Sequence, residues 1–318
     1  MKEEEKTEEK VLITGAGGML GSYMTAQFKD KEIKTLGLRA ENDFVCDLTK
    51  DVPDLGDEKF MTVIHCAGTE AEENSMDLNY EGTRRLARAL EKNPPENFVF
   101  ISSYKVYSRD AGENVDEETN TWASDLVGKS KATAEEFLKD WAARNDVTLT
   151  IVRPARMFGN GVKGETLQLF NDALTGKYIH IRGNDARISL VTAFDVARAA
   201  ESLYKRGGIY NAADGRNPKF IEMVEAMTAN AGAKKRMTHL PDAWAAWVWR
   251  LCRWIPAINR NLAPDVVENR FKTFTLDGRK LAEAAGISYH DTIKVMEHLD
   301  ETYPYSYKNE KRDISHEV

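Results

Sequence analysis

The fold is decided near the start of the chain, where residues 11–24 read VLITGAGGMLGSYM. The opening VLIT is an apolar run typical of a buried β-strand, and apolar residues at helical spacing follow the glycines. Gly15, Gly18 and Gly21 lie in the turn between them. Glycine permits a tight turn and lets backbone N–H groups approach a pyrophosphate at the positive N-terminus of a helix. The stretch therefore predicts a strand, a phosphate-binding turn and a helix.

Outward from this stretch, short apolar runs alternate with longer helical patterns. The runs that predict further strands are residues 33–38, 62–67, 97–102, 149–154 and 209–212. Residues 79–92 and 129–144 carry apolar residues every three or four positions, as crossover helices do. This alternation predicts an α/β protein with a Rossmann-type, doubly wound parallel sheet.

The pattern also predicts how the chain is divided. Residues 1–10 form a charged tail that we expect to be disordered, and residues 11–160 form the dinucleotide-binding domain. The chain returns to that domain at about 186–214. A smaller, mainly helical domain that binds the substrate takes residues 161–185 and 215–303, and a second tail takes 304–318.

Composition limits the classes of partner. The 318 residues carry a net charge of −7, which opposes binding to nucleic acid because that binding depends on excess Lys and Arg. Cys46, Cys66 and Cys252 show neither a CxxC pair nor zinc spacing, so the sequence predicts no metal site. The charged start lacks the apolar stretch of a signal peptide. We therefore expect a cytoplasmic protein.

A tryptophan-rich stretch, residues 243–258, reads AWAAWVWRLCRWIPAI. Arg250 and Arg253 interrupt it, and it is too short to cross a bilayer core of about 30 Å. The sequence thus predicts no membrane span. Helical spacing of its tryptophans favours packing over a core or an apolar pocket, with binding to a membrane surface as the alternative.

The end of the second predicted strand bears on the choice of dinucleotide. Arg39 stands where a carboxylate would hydrogen-bond the adenosine ribose of NAD. An arginine can instead pair with the 2′-phosphate of NADP. The sequence predicts NADP as cofactor, with NAD as the alternative if Arg39 is only a solvated surface residue.

Seven motifs occur in a characteristic order. They are TGAGGMLG, IHCAG, NYEGT, ISSYKVY, GKSK, VRP and LVTAFDVARA. In this order and spacing the chain resembles the extended short-chain dehydrogenase/reductases, the NAD-dependent epimerase/dehydratase family. The resemblance covers residues 11–303.

The resemblance implies a set of cofactor contacts. Asp47 and Leu48 would contact the adenine, Cys66 to Gly68 would line the cofactor, and Asn79 would order the helix that carries the active site. With the glycine turn, the implied cofactor-binding residues are Gly15, Gly18, Met19, Leu20, Gly21, Arg39, Asp47, Leu48, Cys66, Ala67, Gly68, Asn79, Lys131 and Pro154.

The resemblance also implies catalytic residues. Ser103 would polarise the reacting hydroxyl or carbonyl, and Lys131 would hold the nicotinamide ribose and activate a tyrosine four residues earlier. Position 127 is valine instead. Valine has no ionisable proton, and acid–base transfer from a placed side chain contributes about 10²- to 10⁴-fold to a rate. The usual mechanism is therefore compromised.

A neighbouring tyrosine could replace the missing one. Tyr104 follows Ser103 at a place where dehydratases of the family put an acidic residue facing the substrate, and Lys105 follows it. The alternative is that Tyr104 and Tyr107 only pack at the mouth of the cleft. His65 is expected to pack within the fourth strand rather than act as a base.

Three functions remain open at this point. The first is an oxidoreductase or epimerase acting on a small molecule, a sugar nucleotide above all, although Arg156 departs from the asparagine that sugar-nucleotide epimerases commonly carry there. The second is a hydroxysteroid- or dihydroflavonol-like reductase of an apolar alcohol or ketone. The third is a catalytically impaired regulator that binds a dinucleotide. Relatives also suggest a homodimer packed through the helices that contain Asn79 and Lys131.

Overall fold

A seven-stranded sheet forms the centre of the protein in the computed structural model, which describes residues 9–175, 178–229, 238–241 and 272–297. Its strands in chain order are β1 (Lys10–Thr14), β2 (Glu32–Gly37), β3 (Phe44–Val45), β4 (Thr62–His65), β5 (Asn97–Ile101), β6 (Thr148–Pro154) and, after three strands that lie outside this sheet, β10 (Gly208–Ala212). Across the sheet the order is β10-β6-β5-β4-β1-β2-β3, and every pair is parallel. The predicted fold class is confirmed.

Two small parallel sheets lie outside the large one. The first pairs β7 (Arg156–Phe158) with β9 (Leu190–Thr192), and the second pairs β8 (Ile179–Ile181) with β11 (Thr238–Leu240). Because β7 begins two residues after β6 ends, the first small sheet continues directly from the carboxyl edge of the large one.

Helices cover both faces of the large sheet. They are α1 (Met19–Gln27), α2 (Thr83–Leu90), α3 (Leu126–Asn145), α4 (Gly164–Leu174), α5 (Ala193–Leu203), α6 (Phe220–Ala229), α7 (Arg279–Ala285) and α8 (Thr292–Glu297). The two predicted crossover helices correspond to α2 and α3, and α2 is preceded by a π-helical turn, Met76–Gly82. One core cluster includes residues of α1, α5 and α6, and the other includes residues of α2 and α3.

The strand order determines where the ligand-binding crevice at the edge of the sheet lies. From β1 the chain moves outward through β2 and β3, and then returns to the other side of β1 with β4. The residues of β4 and β5 are all buried, as expected for parallel strands covered on both faces. Ligands in such sheets bind where the order reverses, outside the carboxyl ends of the strands. Here that point lies between β1 and β4.

Residues 9 and 10, which the sequence assigns to the charged tail, contact the sheet. Lys10 opens β1 and its ammonium lies 2.6 Å from Glu58 Oε2. The Glu9 carboxylate accepts hydrogen bonds from Tyr204 at 3.0 Å and Lys205 at 3.1 Å. These partners come from distant parts of the sequence, so a local charge pattern could not show that residues 9 and 10 are tied to the sheet.

A segment far along the chain closes over the carboxyl edge. Val115 N–H donates to Thr275 O at 2.8 Å, and Phe274 N–H donates to Arg187 O at 3.0 Å. The Phe274 ring lies 5.9 Å from the ring of Tyr104, measured between centroids. This closing segment, residues 272–276, thus joins the loop after β5 to the approach to β9.

The tryptophan-rich stretch and both predicted tails beyond residues 9 and 10 lie outside the described residues. Within the described part of the chain, no helix has the length and apolarity needed to cross a bilayer.

Candidate functional site

The glycine turn between β1 and α1 is built as the sequence predicts. Gly15 has φ of +68°, and a Cβ added there would lie 2.7 Å from the Ala67 backbone nitrogen. A Cβ at Gly21 would lie 2.1 Å from Gly15 O. Both positions therefore require glycine for the backbone to close. Gly18 caps α1, where no side chain accepts a hydrogen bond from the first turn. The helix thus presents its first N–H groups to a ligand.

A cavity of about 560 Å³ opens at this turn. The predicted site residues on its wall are Gly15, Gly18, Met19, Leu20, Gly21, Cys66, Gly68, Ser103, Tyr104 and Pro154. These residues belong to the turn and helix that follow β1 and to the carboxyl ends of β4, β5 and β6. The strand order reverses between β1 and β4, at the same edge of the sheet. Lys131, Arg39, Asp47, Leu48, Ala67 and Asn79 do not line this cavity.

Arg39 lies beside the glycine turn. A Cβ built on Gly17 would lie 3.7 Å from the guanidinium carbon of Arg39, and the arginine is exposed. The side chain therefore extends from the end of β2 toward the start of α1. A 2′-phosphate on an adenosine ribose at the end of β2 would meet this guanidinium.

The two residues assigned to the adenine have mainly internal contacts. Asp47 accepts hydrogen bonds from Thr49, from its hydroxyl at 2.6 Å and its N–H at 3.0 Å, and Lys50 lies 3.1 Å away. Leu48 is buried and lies against Gly82. The Asp47 turn and the Leu48 contact fix the path of the chain between β3 and β4.

His65 is a structural residue, as its strand pattern predicts. Its Nδ1 lies 2.7 Å from Thr14 Oγ1 and its Nε2 lies 2.9 Å from Thr83 Oγ1. Burial lowers the pKa of His65 to about 3, so the ring is neutral at physiological pH. The imidazole thereby joins β1, β4 and α2.

Asn79 connects the loop after β4 to α3. Its side-chain amide donates to Thr69 O at 3.0 Å and to Ser130 Oγ at 3.0 Å, and its Oδ1 accepts from Thr69 N–H at 2.8 Å. The residue lies in the π-helical turn, a departure from regular helix that is frequent at functional sites. The asparagine thereby holds the loop after β4 next to the helix that carries Lys131.

Lys131 lies below the cavity wall. Its ammonium donates to Ile101 O at 2.8 Å and lies 4.9 Å from the centre of the Phe100 ring. A Cβ on Gly68 would come within 2.9 Å of that ammonium, so glycine is needed there. Burial lowers the pKa of Lys131 to about 8.

Val127 is buried one helical turn before Lys131, with 2% of its surface exposed. A Cβ at the next residue, Gly128, would lie 2.0 Å from Lys105 O, so the start of α3 packs directly on the turn that follows Ser103. The position of the usual tyrosine therefore belongs to the tightly packed start of this helix.

Ser103 and Tyr104 stand at the carboxyl end of β5. Ser103 Oγ accepts a hydrogen bond from Lys105 N–H at 3.2 Å, which orients the serine at the start of a short 3₁₀ helix, Tyr104–Val106. The Tyr104 ring packs near Arg109, whose guanidinium carbon lies 5.5 Å from the ring centre. Within the described residues, the Tyr104 hydroxyl has no hydrogen-bond partner.

The other two residues of this turn are bound elsewhere. Lys105 is buried, and its ammonium donates to Glu70 Oε2 at 3.1 Å. Tyr107 donates to Asn211 Oδ1 at 2.9 Å and is buried, so its role is packing. Of the two tyrosines, Tyr104 and Tyr107, Tyr104 is therefore the one that lines the cavity.

A buried network behind the cavity was missed by the sequence analysis. Arg153 on β6 donates to the Glu135 carboxylate through two nitrogens, and to Tyr107 Oη at 2.8 Å. Ser102, on the cavity wall, donates to the same carboxylate. Glu135 lies four residues, or one helical turn, after Lys131 on α3. This spacing was the sequence signal that could have placed Glu135 near the site. The network fastens α3 to the strands that carry the site.

Among the described residues, no group of three or more His, Cys, Asp or Glu side chains is placed to hold a metal ion.

Two enzymes are similar to this chain in sequence. The chain is 27% identical over 253 residues to an N-acetyl-α-D-glucosaminyl-diphospho-ditrans,octacis-undecaprenol 4-epimerase of Escherichia coli O157:H7, covering 73% of this chain and 76% of the relative. It is 25% identical over 254 residues to a UDP-glucose 4-epimerase of Vibrio cholerae, covering 70% and 76% of the two chains.

Solved structures share the fold. RMD from Pseudomonas aeruginosa, complexed with NADPH, superposes with a TM-score of 0.68 at 20% identity, covering 91% of this chain and 97% of that one. UDP-glucose 4-epimerase from Thermotoga maritima, with UDP-glucose, gives a TM-score of 0.69 at 15% identity, covering 91% and 96%.

One family model matches residues 11–213, which extend from β1 through the glycine turn, Ser103, Lys131 and β10. The chain therefore belongs to the NAD dependent epimerase/dehydratase family.

Proposed function

We propose that the chain binds a nicotinamide dinucleotide, with NADP preferred, and acts on a sugar carried on a diphosphate by reversible hydride exchange. The observation that carries this proposal is one cavity whose wall contains both the glycine turn and the Ser103–Tyr104 pair. A phosphate-binding helix end and groups able to hold a reacting hydroxyl thus face the same space.

The residues present fit the dinucleotide. The turn of Gly15, Gly18 and Gly21 leaves a cradle that a Cβ would fill, and the first N–H groups of α1 face it without a side-chain cap. Lys131, next to Gly68, would hold the nicotinamide ribose. When bound, the dinucleotide supplies a hydride acceptor and donor that no amino acid side chain provides.

Arg39 should make the protein prefer NADP over NAD. One charge-assisted contact contributes about 1.5–3 kcal/mol, or about a ten- to hundredfold difference in affinity. Calorimetric titration with both dinucleotides measures it, and Arg39→Asp should remove the preference. Arg88→Asp, an exposed substitution on α2, is the charge-matched control. Equal affinities in the wild type would exclude Arg39 from the cofactor site.

The chain's own residues must hold the substrate hydroxyl and move its proton. Ser103 accepts the Lys105 amide, so its O–H remains available to bind the reacting oxygen. Tyr104, beside it on the wall, is the group in place to take or return the proton. In this proposal Tyr104 acts in place of the residue lost at Val127.

The pH dependence of dinucleotide binding should report Lys131. Its pKa is lowered to about 8, so the free protein loses the ammonium charge as pH rises through that value. If binding needs the charged form, affinity should fall between about pH 7 and pH 9. Calorimetry across that range tests it, and Lys131→Met should bind more weakly with a flat profile. A wild-type affinity that is constant with pH would contradict the assignment of Lys131 to the ribose.

The substrate class rests on the two similar enzymes. One is named for a sugar linked to undecaprenol through a diphosphate, and the other for UDP-glucose. Their shared chemistry is a sugar on a diphosphate, whether the carrier is a nucleoside or a polyprenol. We extend that class to this chain. We also propose a cytoplasmic protein that forms a homodimer through the faces of α2 and α3.

Turnover of the dinucleotide-loaded protein tests the proposal. UDP-glucose, UDP-N-acetylglucosamine and polyprenyl-diphospho-N-acetylglucosamine should each be offered, and the products resolved by chromatography. Tyr104→Phe should lose activity by about 10²- to 10⁴-fold while its dinucleotide affinity stays unchanged. Tyr80→Phe, on the π-helical turn, removes a hydroxyl outside the cavity and is the matched control. Full activity in Tyr104→Phe would refute the relocated acid.

A regulator that binds the dinucleotide without turnover is the second candidate, and the buried Val127 favours it. It becomes the better account if tight dinucleotide binding accompanies no product from any of these sugars. A hydroxysteroid- or dihydroflavonol-like reductase is the alternative that the tryptophan-rich stretch and Arg39 favour, and that stretch lies outside the described residues.

A further inference from the structure

A small side pocket opens next to the main cavity and has a positive lining. Arg109, Arg156 and Lys272 line it, together with the rings of Tyr104 and Phe274. It shares Tyr104 and Arg156 with the wall of the main cavity. The three cations come from the loop after β5, from β7 and from the closing segment. We call it the cationic pocket.

Each of these cations has an identified neighbour within the described part of the chain. The Arg109 guanidinium lies over the Tyr104 ring, and no carboxylate of the described residues lies within 4.0 Å of it. Arg156 donates to Thr166 Oγ1 at 3.3 Å, and Lys272 donates to Asp110 Oδ1 at 2.8 Å. Asp110 is largely exposed, with 74% of its side-chain surface accessible, so it lies at the outer rim.

The size of the pocket limits what it can hold. Its volume of about 20 Å³ accommodates about one water-sized group, since a single water needs about 10–15 Å³. A diphosphate is too large for that space. A carboxylate is small, planar and anionic, and guanidinium groups bind it through paired hydrogen bonds.

The position of the pocket identifies the part of the substrate that would reach it. Tyr104, Ala155 and Arg156 line both the cationic pocket and the main cavity, and Ser103 lies beside Tyr104 on the wall of the main cavity. A group that enters the pocket therefore comes from the part of the substrate next to the hydroxyl held by Ser103.

We propose that the cationic pocket is a subsite for a carboxylate on the sugar ring of the substrate. The inference rests on the proposed function, because it names the substrate of that same cavity. Arg156 then has a purpose at a position where the sequence alone showed only a departure from asparagine. The protein would select an acidic sugar, such as a uronic acid, over the corresponding neutral sugar.

Calorimetric titration of the NADP-loaded protein with UDP-glucuronic acid and UDP-glucose tests this. The two differ in a carboxylate against a hydroxymethyl group at one ring carbon. UDP-glucuronic acid should bind about ten- to hundredfold more tightly. Arg109→Met and Arg156→Asn should each bring the two affinities close together, mainly by weakening the acidic ligand. Arg156→Lys should retain part of the preference because the charge remains.

Arg88→Met is the control, because it removes one exposed positive charge outside both cavities. Equal binding of the two ligands, or a preference that neither variant reduces, would overturn the carboxylate subsite and leave the proposed function intact. Binding of neither ligand would contradict the proposed function and this inference together. Melting temperatures within the wild-type range show that a variant is folded, and Lys272→Met replaces any variant that is not.

Discussion

Val127→Tyr should raise the turnover of a diphosphate-linked sugar by up to about 10²- to 10⁴-fold, with the full gain in a Tyr104→Phe background, where no other phenol transfers the proton. The reason is that Lys131 lies one helical turn away on α3 and retains its hydrogen bond to Ile101 O. A phenol at 127 would therefore lie one turn before the buried Lys131 on α3, at the part of the helix that packs on the turn after Ser103. Initial rates with UDP-glucose or UDP-glucuronic acid measure the change.

Val127→Phe is the matched control, since it adds the same ring without the hydroxyl. Val127→Phe should turn over the substrate at or below the wild-type rate, because the added ring at this buried position has no ionisable proton. If Val127→Phe and Val127→Tyr rise equally, the gain comes from repacking of α3 and the acid–base explanation is wrong. The double variant Val127→Tyr, Tyr104→Phe then tells which phenol carries the proton.

Gly18→Val should weaken dinucleotide binding by at least about hundredfold, equivalent to about 2.7 kcal/mol. Gly18 lines the cavity and caps α1, so a branched side chain there occupies the space of the pyrophosphate. An added Cβ would lie 3.2 Å from Gly15 O, which a small shift relieves. The variant should therefore fold normally and fail only in binding. Calorimetry and thermal unfolding separate the two effects.

Valine substitutions at two nearby glycines serve as comparisons for Gly18→Val. Gly21→Val should also lose stability, because its Cβ would lie 2.1 Å from Gly15 O. Gly17→Val should bind NAD, which lacks the 2′-phosphate assigned to Arg39, nearly as the wild type does, since its Cβ meets only Arg39 at 3.7 Å, an ordinary van der Waals contact. Retention of wild-type affinity in a folded Gly18→Val protein would show that the turn does not hold the dinucleotide.

The sequence was most informative where local chemistry determines structure. The apolar runs around β1, β4 and β5 predicted strands because parallel strands buried on both faces must be apolar throughout. The glycine turn could be predicted for a similar reason. Gly15 requires a positive φ and Gly21 a close backbone contact, and only glycine supplies both.

The site was less predictable where residues meet only through the fold. The family resemblance implied Ser103, and Tyr104 was proposed because it follows Ser103 in the chain. The ion pair between Glu135 and Arg153 joins positions 18 residues apart on a helix and a strand, and the turn spacing of Glu135 after Lys131 marks only one of the two partners. The cationic pocket, which unites Arg109, Arg156 and Lys272, was missed for the same reason.

The closing segment, residues 272–276, has a consequence for biosynthesis. It pairs with the loop near Val115 and with Arg187, so its contacts span more than 80 residues of chain. During translation, the large sheet can assemble once β10 has emerged, but Tyr104 then still lacks its neighbour Phe274. A nascent chain released before that point would carry a dinucleotide turn with an unfinished substrate wall. Cofactor capture can thus precede completion of the substrate site, and long-range closure should be among the last folding events.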